Sequence, residues 1–271
     1  METSGIITLT TDFGVQDPYV GAMKGVILSI NPQATMIDIT HGIQPGSIYS
    51  ASLILKEAHS YFPKGTIHLG VVDPGVGSDR RPVLIRTEKF FFVGPDNGIF
   101  WPSIMECEVF DAIHLTKRQY FMKNISSTFH GRDIFAPVAA HLSMGIDPMK
   151  MGNPISDPLK LEMPSPLVDE SMLSGHIMRV DRFGNLITNI HKDLLKDFLN
   201  ESSPVVTVGG LKISGLSKTY HEAGEGEIIV LSGSSGFIEI SENKGRACDR
   251  IAREKGTIRG MRVEVKRSGK R

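Results

Sequence analysis

Cysteine is scarce in this sequence, which contains only Cys107 and Cys248 among its 271 residues. The two lie far apart, and their positions match neither the spacing of a zinc site nor that of a dithiol redox motif. We therefore expect two reduced thiols and no bound metal, which is the usual condition of a cytoplasmic protein.

Long apolar runs and an excess of one charge are also missing. Because no stretch of about 18 apolar residues occurs, a membrane-spanning helix is not expected. The opening METSGIITLTTDFG lacks the basic stretch and apolar core of a secretory signal, which again favours a cytoplasmic protein. Basic and acidic residues number 30 each, so broad nucleic-acid binding is not expected. The basic run KRSGKR at 266–271 is expected to be a solvated terminus.

What is present indicates two folded parts. Up to about residue 165, strand patterns alternate with helix patterns, which predicts an α/β domain with a largely parallel sheet. The later residues have the sequence pattern of short β-strands separated by Gly and Ser turns. This pattern predicts a smaller all-β, barrel-like domain. We therefore predict two domains, 1–165 and 166–271, connected by a proline-rich linker at 147–170.

The elements of the first domain are predicted from apolar period and turn residues. Asp17 and Pro18 are typical of a helix start, as N-cap and first helical residue. The predicted strands span 5–12, 34–40 and 65–73, a strand pair falls within 82–100, and helices span 17–32, 47–62 and 131–145.

Two carboxylates follow predicted strands. Asp12 and Asp73 lie at strand carboxyl ends, where open α/β sheets bind their ligands. A carboxylate placed like Asp12 can accept hydrogen bonds from both hydroxyls of a ribose. Asp17 is either a site residue or simply the cap of its helix.

Two further stretches carry candidate chemistry. In VVDPGVGSDRRP the glycines allow a sharp turn that brings Asp73 towards Arg80, forming either a ligand site or an exposed ion pair. In STFHGRDIFAP, His130 precedes a helix beside Arg132 and Asp133. It is either a cap or packed side chain, or a residue that orients or moves a proton.

Other motifs favour simpler structures. GPDNGIF at 94–100 is typical of a hairpin turn. GSSGF at 233–237 lies between two strand patterns, so a hairpin loop is favoured over a nucleophilic serine. The sequence has no Walker loop, no dinucleotide-binding glycine pattern and no zinc-ligand spacing.

Taken together, TTDFG, VVDPGVGSDRR, GPDNGIF, STFHGRDIFAP, DRFGNLITNI and GSSGFIEISEN resemble one family in their order. It is the S-adenosylmethionine hydroxide adenosyltransferase family, also called adenosine-forming S-adenosylmethionine hydrolases. The resemblance spans roughly 5–265. It implies that water or hydroxide attacks the ribose 5′ carbon of S-adenosylmethionine, releasing methionine and adenosine without a further cofactor.

The resemblance implies that Asp73, Arg80 and His130 are catalytic. The sulfonium is an excellent leaving group, so the difficulty lies in the nucleophile, because water is a poor one. Arg80 would stabilise developing hydroxide, while Asp73 and His130 would accept its proton or orient it. Which of those two acts as the base stays open.

The resemblance also implies binding residues in both domains. Asp12 would hold the ribose hydroxyls and Asp17 would contact the methionine moiety. In the second domain, Asp181, Phe183 and Asn185 would contact methionine and adenine, Ser234 and Ser235 the amino-acid end, and the backbone near Glu242 and Asn243 the adenine.

The family implies a homotrimer in which each ligand lies between the first domain of one subunit and the second domain of the next. Two alternatives are kept. One is a halide-using adenosyltransferase, and the other is a sensor that binds S-adenosylmethionine or adenosine without turnover. The related halogenases lack the catalytic trio, and the fluorinase carries an extra loop after the region of GPDNG. This sequence has the trio and continues from Gly98 directly into IFWPSI without an obvious insertion, so the resemblance favours hydroxide over halide.

Overall fold

The computed structural model describes residues 1–255 and 258–268, so the end of the basic run 266–271 lies outside the described residues. The chain divides into two compact units, Met1–Leu161 and Glu162–Arg271. Among the described residues, no helix is both long and apolar enough to cross a membrane.

The first unit is built on a seven-stranded sheet with helices on both faces, which confirms the predicted α/β class. Its strands are β1 (Ile6–Thr11), β2 (Thr35–Thr40), β3 (Ile67–Val71), β4 (Pro82–Thr87), β5 (Phe91–Pro95), β6 (Phe110–Leu115) and β7 (Gly152–Ile155). Its helices are α1 (Tyr19–Ile30), α2 (Ile48–Ala58), α3 (Trp101–Ile104) and α4 (Ala136–Ser143).

The strand order is β2-β1-β3-β5-β4-β6-β7. The β2-β1-β3-β5 part is parallel, and β4, β6 and β7 continue it with antiparallel pairings. Every residue of β3 is buried, as expected for a central strand covered on both faces. The carboxyl ends of β1 and β3 therefore meet at one edge of the sheet.

Helix packing follows the apolar spacing. Met23 and Ile27 of α1 are buried against one face of the sheet, together with α4. Ala51 and Leu55 of α2 are buried against the opposite face. Each pair is four residues apart, so its side chains share one face of their helix.

The helix after His130 begins with a wide π-helical turn, Gly131–Phe135, before α4 continues it. Pro137 has no N–H to donate to the carbonyl of Asp133, four residues earlier. That carbonyl instead accepts from the N–H of Met122 at 2.8 Å. The predicted helix therefore tolerates its proline, and the chain is widened directly beside His130.

Three expectations for the first unit are wrong. Helix α1 begins at Tyr19, Pro18 occupies its N-cap position, and no side chain of the described residues caps it, so Asp17 is not a cap. GPDNGIF does not connect paired strands, because it leads from β5 into α3. Part of the predicted linker forms β7, which pairs with β6 at the edge of the sheet. An edge strand tolerates Pro154, since one side of it needs no donor.

The second unit is an antiparallel sheet in the order β12-β11-β15-β9-β10-β14-β13, with β8 paired to β9. Its strands are β8 (Leu167–Val168), β9 (Leu173–Val180), β10 (Leu186–His191), β11 (Pro204–Val208), β12 (Leu211–Ser214), β13 (Ile228–Ser232), β14 (Phe237–Glu242) and β15 (Arg262–Arg267). Two helices not predicted from the sequence, α5 (Lys192–Leu199) and α6 (Ala247–Lys255), accompany them.

The sheet of the second unit is nearly closed. A bridge between Ser217 and Leu231 brings the segment after β12, at one edge, against β13 at the other. Alternate residues of β11 are buried, which is the period of a strand with one face on the core. The predicted all-β, barrel-like domain is therefore confirmed.

Candidate active site

A cavity of about 380 Å³ lies where β1 and β3 end. Asp12 follows β1 directly, and Asp73 follows β3 after one further residue. Both line the cavity, so the predicted carboxylates meet at the carboxyl edge of the parallel strands. The lining consists of Asp12, Phe13, Tyr19, Gly46, Val71, Asp73, Pro74, Val76, Thr128, Phe129, His130 and Gly131.

Arg80 connects the other two members of the predicted trio. Its Nε donates to Oδ1 of Asp73 at 3.1 Å, and its Nη2 donates to Oδ2 of the same carboxylate. The same Nη2 lies 3.1 Å from Nδ1 of His130. Asp73 and His130 line the cavity, whereas Arg80 is not part of its lining. The guanidinium therefore holds both side chains from behind the wall.

The Arg80 contact fixes the proton on His130. A guanidinium can only donate, so Nδ1 of the imidazole accepts and the neutral ring carries its proton on Nε2. Burial lowers the pKa of His130, and the charge of Arg80 lowers it further, against the opposing effects of Asp73 and Asp133. His130 is thus a neutral hydrogen-bond donor at pH 7, and its two ring nitrogens offer no free acceptor.

Arg80 also has a buried donor group that no acceptor of the described residues pairs with. Its side chain is only 8% exposed, and Nη1 is buried without a hydrogen-bond partner among the described residues. The guanidinium group of Arg80 also lies over the ring of Phe135, with 5.3 Å between Cζ and the ring centroid. A buried N–H without an acceptor is costly, so an oxygen atom bound within reach of Nη1 would be stabilised.

Two loops that carry site residues touch each other. Gly77, in the turn after Asp73, has φ +79°, and a Cβ there would lie 2.4 Å from the carbonyl oxygen of Ser127. Asp133, 1% exposed, accepts from the N–H of Ser126 at 2.8 Å and from Nε of Arg132 at 2.7 Å. These contacts hold the segment that leads to His130.

We expect Gly77→Ala to lower kcat/KM about a hundredfold, because a displacement of about 1 Å at reacting groups has that effect. The new methyl group would push the Ser127 loop away and would also occupy a strained backbone conformation. Gly75→Ala is the matched control in the same turn, since its nearest contact would be an ordinary 3.4 Å. Equal activity of the two variants would contradict this account.

GPDNGIF supports the site from a neighbouring strand. The amide of Asn97 donates to the carbonyl of Val72 at 2.8 Å, directly before Asp73. Arg81 pairs with buried Asp96 at 2.9 Å, and the N–H of Asp96 donates back to the carbonyl of Arg81. These residues were missed as site residues, although the two adjacent arginines were a usable signal.

Three aromatic rings form one wall of the cavity. Phe13, Tyr19 and Phe129 lie with centroids 5.2 to 5.8 Å apart, and all three line it. Together with the carboxylates of Asp12 and Asp73 in the same lining, these rings suit a cationic ligand, because the faces of aromatic rings attract positive charge. This wall was also missed, since Phe129 is far from Phe13 and Tyr19 in the sequence.

Asp17 is exposed and does not line this cavity. In the second unit, the carboxylate of Asp181 is occupied within its own turn. It accepts from the N–H groups of Phe183 and Asn185 at 2.8 and 2.9 Å, and from the Asn185 side chain at 2.9 Å. The turn leaves the Phe183 ring 74% exposed and Asn185 buried.

The remaining predicted residues lie at two ends of β14. GSSGF forms the predicted hairpin loop between β13 and β14, with Ser234 exposed and Ser235 half-buried. Glu242 and Asn243 lie at the other end, about 17 Å along the strand at roughly 3.4 Å per residue. Since β10 starts beside Ile240, the Asp181 turn lies at this second end.

Comparison with known proteins places the whole chain in one group. Residues 7–152 match the SAM hydroxide adenosyltransferase N-terminal domain, and residues 175–258 match the corresponding C-terminal domain. An "(R)-S-adenosyl-L-methionine hydrolase" of Salinispora tropica is 35% identical over 267 residues, covering 96% of this chain and 97% of the relative. A "Fluorinase" of Nocardia brasiliensis is more distant, at 27% identity with 88% and 90% of the two chains covered.

A solved structure agrees. An uncharacterized conserved protein from Thermotoga maritima superposes with a TM-score of 0.90 at 38% identity, covering 96% of this chain and all of that one. With both domain matches and a full-length relative above 30% identity, this chain belongs to the SAM hydroxide adenosyltransferase family.

Proposed function

We propose that this protein hydrolyses S-adenosylmethionine to adenosine and methionine by attack of water on the ribose 5′ carbon, with no further cofactor. The observation that carries the proposal is Arg80, bonded to both Asp73 and His130 at the wall of one cavity. Family membership and the name of the Salinispora relative support it. That name also favours the R-configured sulfonium as the preferred substrate.

The charges of the cavity suit the substrate. Two carboxylates and three aromatic rings line it, which favours a sulfonium over a neutral thioether. When the bond between C5′ and sulfur breaks, its electron pair stays on sulfur and a cation becomes neutral methionine. No acid has to protonate the leaving group, so the protein has to activate only the water.

In the proposed step, the water oxygen bonds to C5′ and one water proton passes to the carboxylate of Asp73. His130 donates from Nε2 to the water oxygen and orients it, since its ring has no acceptor to offer. Arg80 keeps both groups in place and stabilises negative charge developing on the water. We therefore assign the base role to Asp73, with Asp12 holding the ribose hydroxyls.

We also propose a homotrimer in which second-unit residues complete the ligand site. These are Asp181, Phe183, Asn185, Ser234, Ser235, Glu242 and Asn243, with Asp17 contacting the methionine moiety. Light scattering should then give three times the 29.7 kDa chain mass. A monomer that turns over substrate would overturn this part alone.

The test of function incubates the purified protein with each sulfonium epimer in ¹⁸O-labelled water without halide, followed by mass spectrometry. Adenosine carrying ¹⁸O, together with methionine, is the expected result, and it should be lost in Arg80→Ala. A 5′-halo product on addition of chloride or fluoride would favour the halide-using alternative. Tight binding without product would favour a sensor.

The rate should depend on pH through His130. Because burial and Arg80 lower its pKa, the ring stays neutral below its ordinary value of 6.5. Protonation would place an N–H of the imidazolium against Nη2 of Arg80, so activity falls as pH drops through the lowered pKa. A profile of kcat/KM should therefore show its acid limb below pH 6.5, and a limb above pH 7 would contradict the assignment.

A further inference from the structure

His41 is a buried histidine outside the catalytic trio, 6% exposed and directly after β2. It contacts the loop that leaves the neighbouring strand β1 at two points. Nδ1 of its ring lies 2.8 Å from Oγ1 of Thr11, the last residue of β1. Its carbonyl accepts from the N–H of Gly14 at 2.8 Å. The two contacts lie on either side of Asp12.

The far side of the ring is held by a charge. Nε2 of His41 lies 3.0 Å from Oδ1 of Asp38, although its N–H is not aligned for a straight hydrogen bond. Burial opposes ionisation of Asp38, but the contacts with Lys24 and His41 outweigh it and lower the pKa of that carboxyl. Lys24 belongs to α1 and lies 2.6 Å from Asp38. The network thus reaches the helix that follows the Asp12 loop.

The contacts of His41 show which ring nitrogen carries the proton and which one accepts. A carboxylate only accepts, so the ring proton of His41 lies on Nε2, facing Asp38. Nδ1 then accepts from the hydroxyl of Thr11, whose oxygen accepts in turn from the N–H of Phe13 at 3.3 Å. The imidazole therefore orients Thr11 and Phe13, on either side of Asp12, while the main-chain carbonyl of His41 holds Gly14.

The Asp12 loop needs such support. Residues 15–18 of this loop are exposed, with Val15 at 83%, so its packing rests mainly on the Phe13 ring. Within the described parts of the chain, the carboxylate of Asp12 is held by one hydrogen bond, from the N–H of Gly46 to Oδ2 at 2.7 Å. Gly46 lies five residues after His41, so the donor of that bond belongs to the same loop between β2 and α2 as this histidine.

We propose that His41, through Thr11 and Gly14, is a positioning residue for the carboxylate of Asp12 and so for recognition of the ribose hydroxyls. This rests on the proposed function, in which Asp12 binds those hydroxyls. His41 does not contact the substrate. Its effect should therefore appear as lost discrimination between ligands with and without the hydroxyls.

The experiment measures binding of adenosine and of 2′,3′-dideoxyadenosine to the full-length protein by calorimetry. We expect the wild type to prefer adenosine, and His41→Ala to reduce that preference about tenfold through poorer charged hydrogen bonds. Thr11→Val, which keeps the side-chain shape but removes the hydroxyl, should shift the preference in the same direction. Thr11→Val also provides the test if His41→Ala does not fold.

The chain offers a matched control, a second buried histidine that contacts a threonine of the same strand, β1. His68 is fully buried, and its Nδ1 lies 2.8 Å from Oγ1 of Thr8 in β1, away from the cavity. His68→Ala should destabilise the protein but leave the preference for adenosine unchanged. In an Asp12→Ala background, His41→Ala should have no further effect on that preference.

The outcomes separate the two proposals. If the wild type shows no preference for the hydroxyls, the assignment of Asp12 fails, and the role of His41 fails with it. If the wild type prefers adenosine but both His41→Ala and Thr11→Val keep that preference, only the positioning role of His41 is overturned. An effect of His41→Ala that persists without Asp12 would also overturn it.

Discussion

Replacing Asp73 with asparagine is expected to lower kcat about a thousandfold, within the range for loss of a catalytic base. Asparagine has the same size and can still accept from Arg80, but its amide group does not take a proton at neutral pH. Its NH₂ group would also oppose a donor of Arg80, where the native carboxylate accepts twice. KM should change little, because Asp12 and the aromatic wall remain.

The same turn supplies the control for this prediction. Asp79 is exposed and lies next to Arg80 in the chain, so Asp79→Asn removes a charge of the same kind without touching the cavity. It should keep nearly wild-type kcat. Single-turnover measurements separate chemistry from product release for both variants. If Asp73→Asn kept kcat within about fivefold while His130→Gln lost more, the base role would belong to His130.

Most of the core of the site could be predicted, because the sequence signals for Asp12, Asp73 and Arg80 are local. Asp12 and Asp73 each follow an apolar run that is recognisable as a strand, and parallel strands bring their carboxyl ends together. Arg80 is only seven residues from Asp73 across a glycine turn, so their pairing needs little tertiary information. His130 required more, and its place rested on motif order.

The supporting residues could not be predicted, because their partners are distant in the sequence. Asn97 holds the carbonyl of Val72, and His41 holds Thr11, in each case through a polar group that would also suit a surface turn. Nothing in the local pattern distinguishes these roles. The same limit explains β7, where Pro154 indicated a linker although an edge strand accepts it.

The errors at the Asp17 helix start have a related cause. Asp followed by Pro is typical of a cap and first helical residue, yet the helix begins one residue later than this pattern predicts. Asp12, by contrast, lies on a loop held by His41 and Gly46. Local propensity therefore located the element, and tertiary contacts decided which carboxylate faces the cavity.

Removing Arg80 should affect both stability and catalysis, and the two effects can be separated. The side chains of Asp73 and Arg80 are 6% and 8% exposed. Arg80→Met therefore leaves a buried carboxylate without its partner. Breaking a buried pair in this way costs about 3–5 kcal/mol of unfolding free energy. The kcat should also fall at least a hundredfold, since Asp73 and His130 lose the group that holds both.

A second variant distinguishes these causes. Arg80→Met combined with Asp73→Leu replaces the pair with apolar side chains, so most of the lost stability should return. Activity should not return, because the double variant has neither base nor cation. Urea unfolding measures the first effect and product formation the second. If Arg80→Met were as stable as the wild type, the buried pair would not support the fold. If the double variant recovered activity together with stability, the trio would be structural and not catalytic.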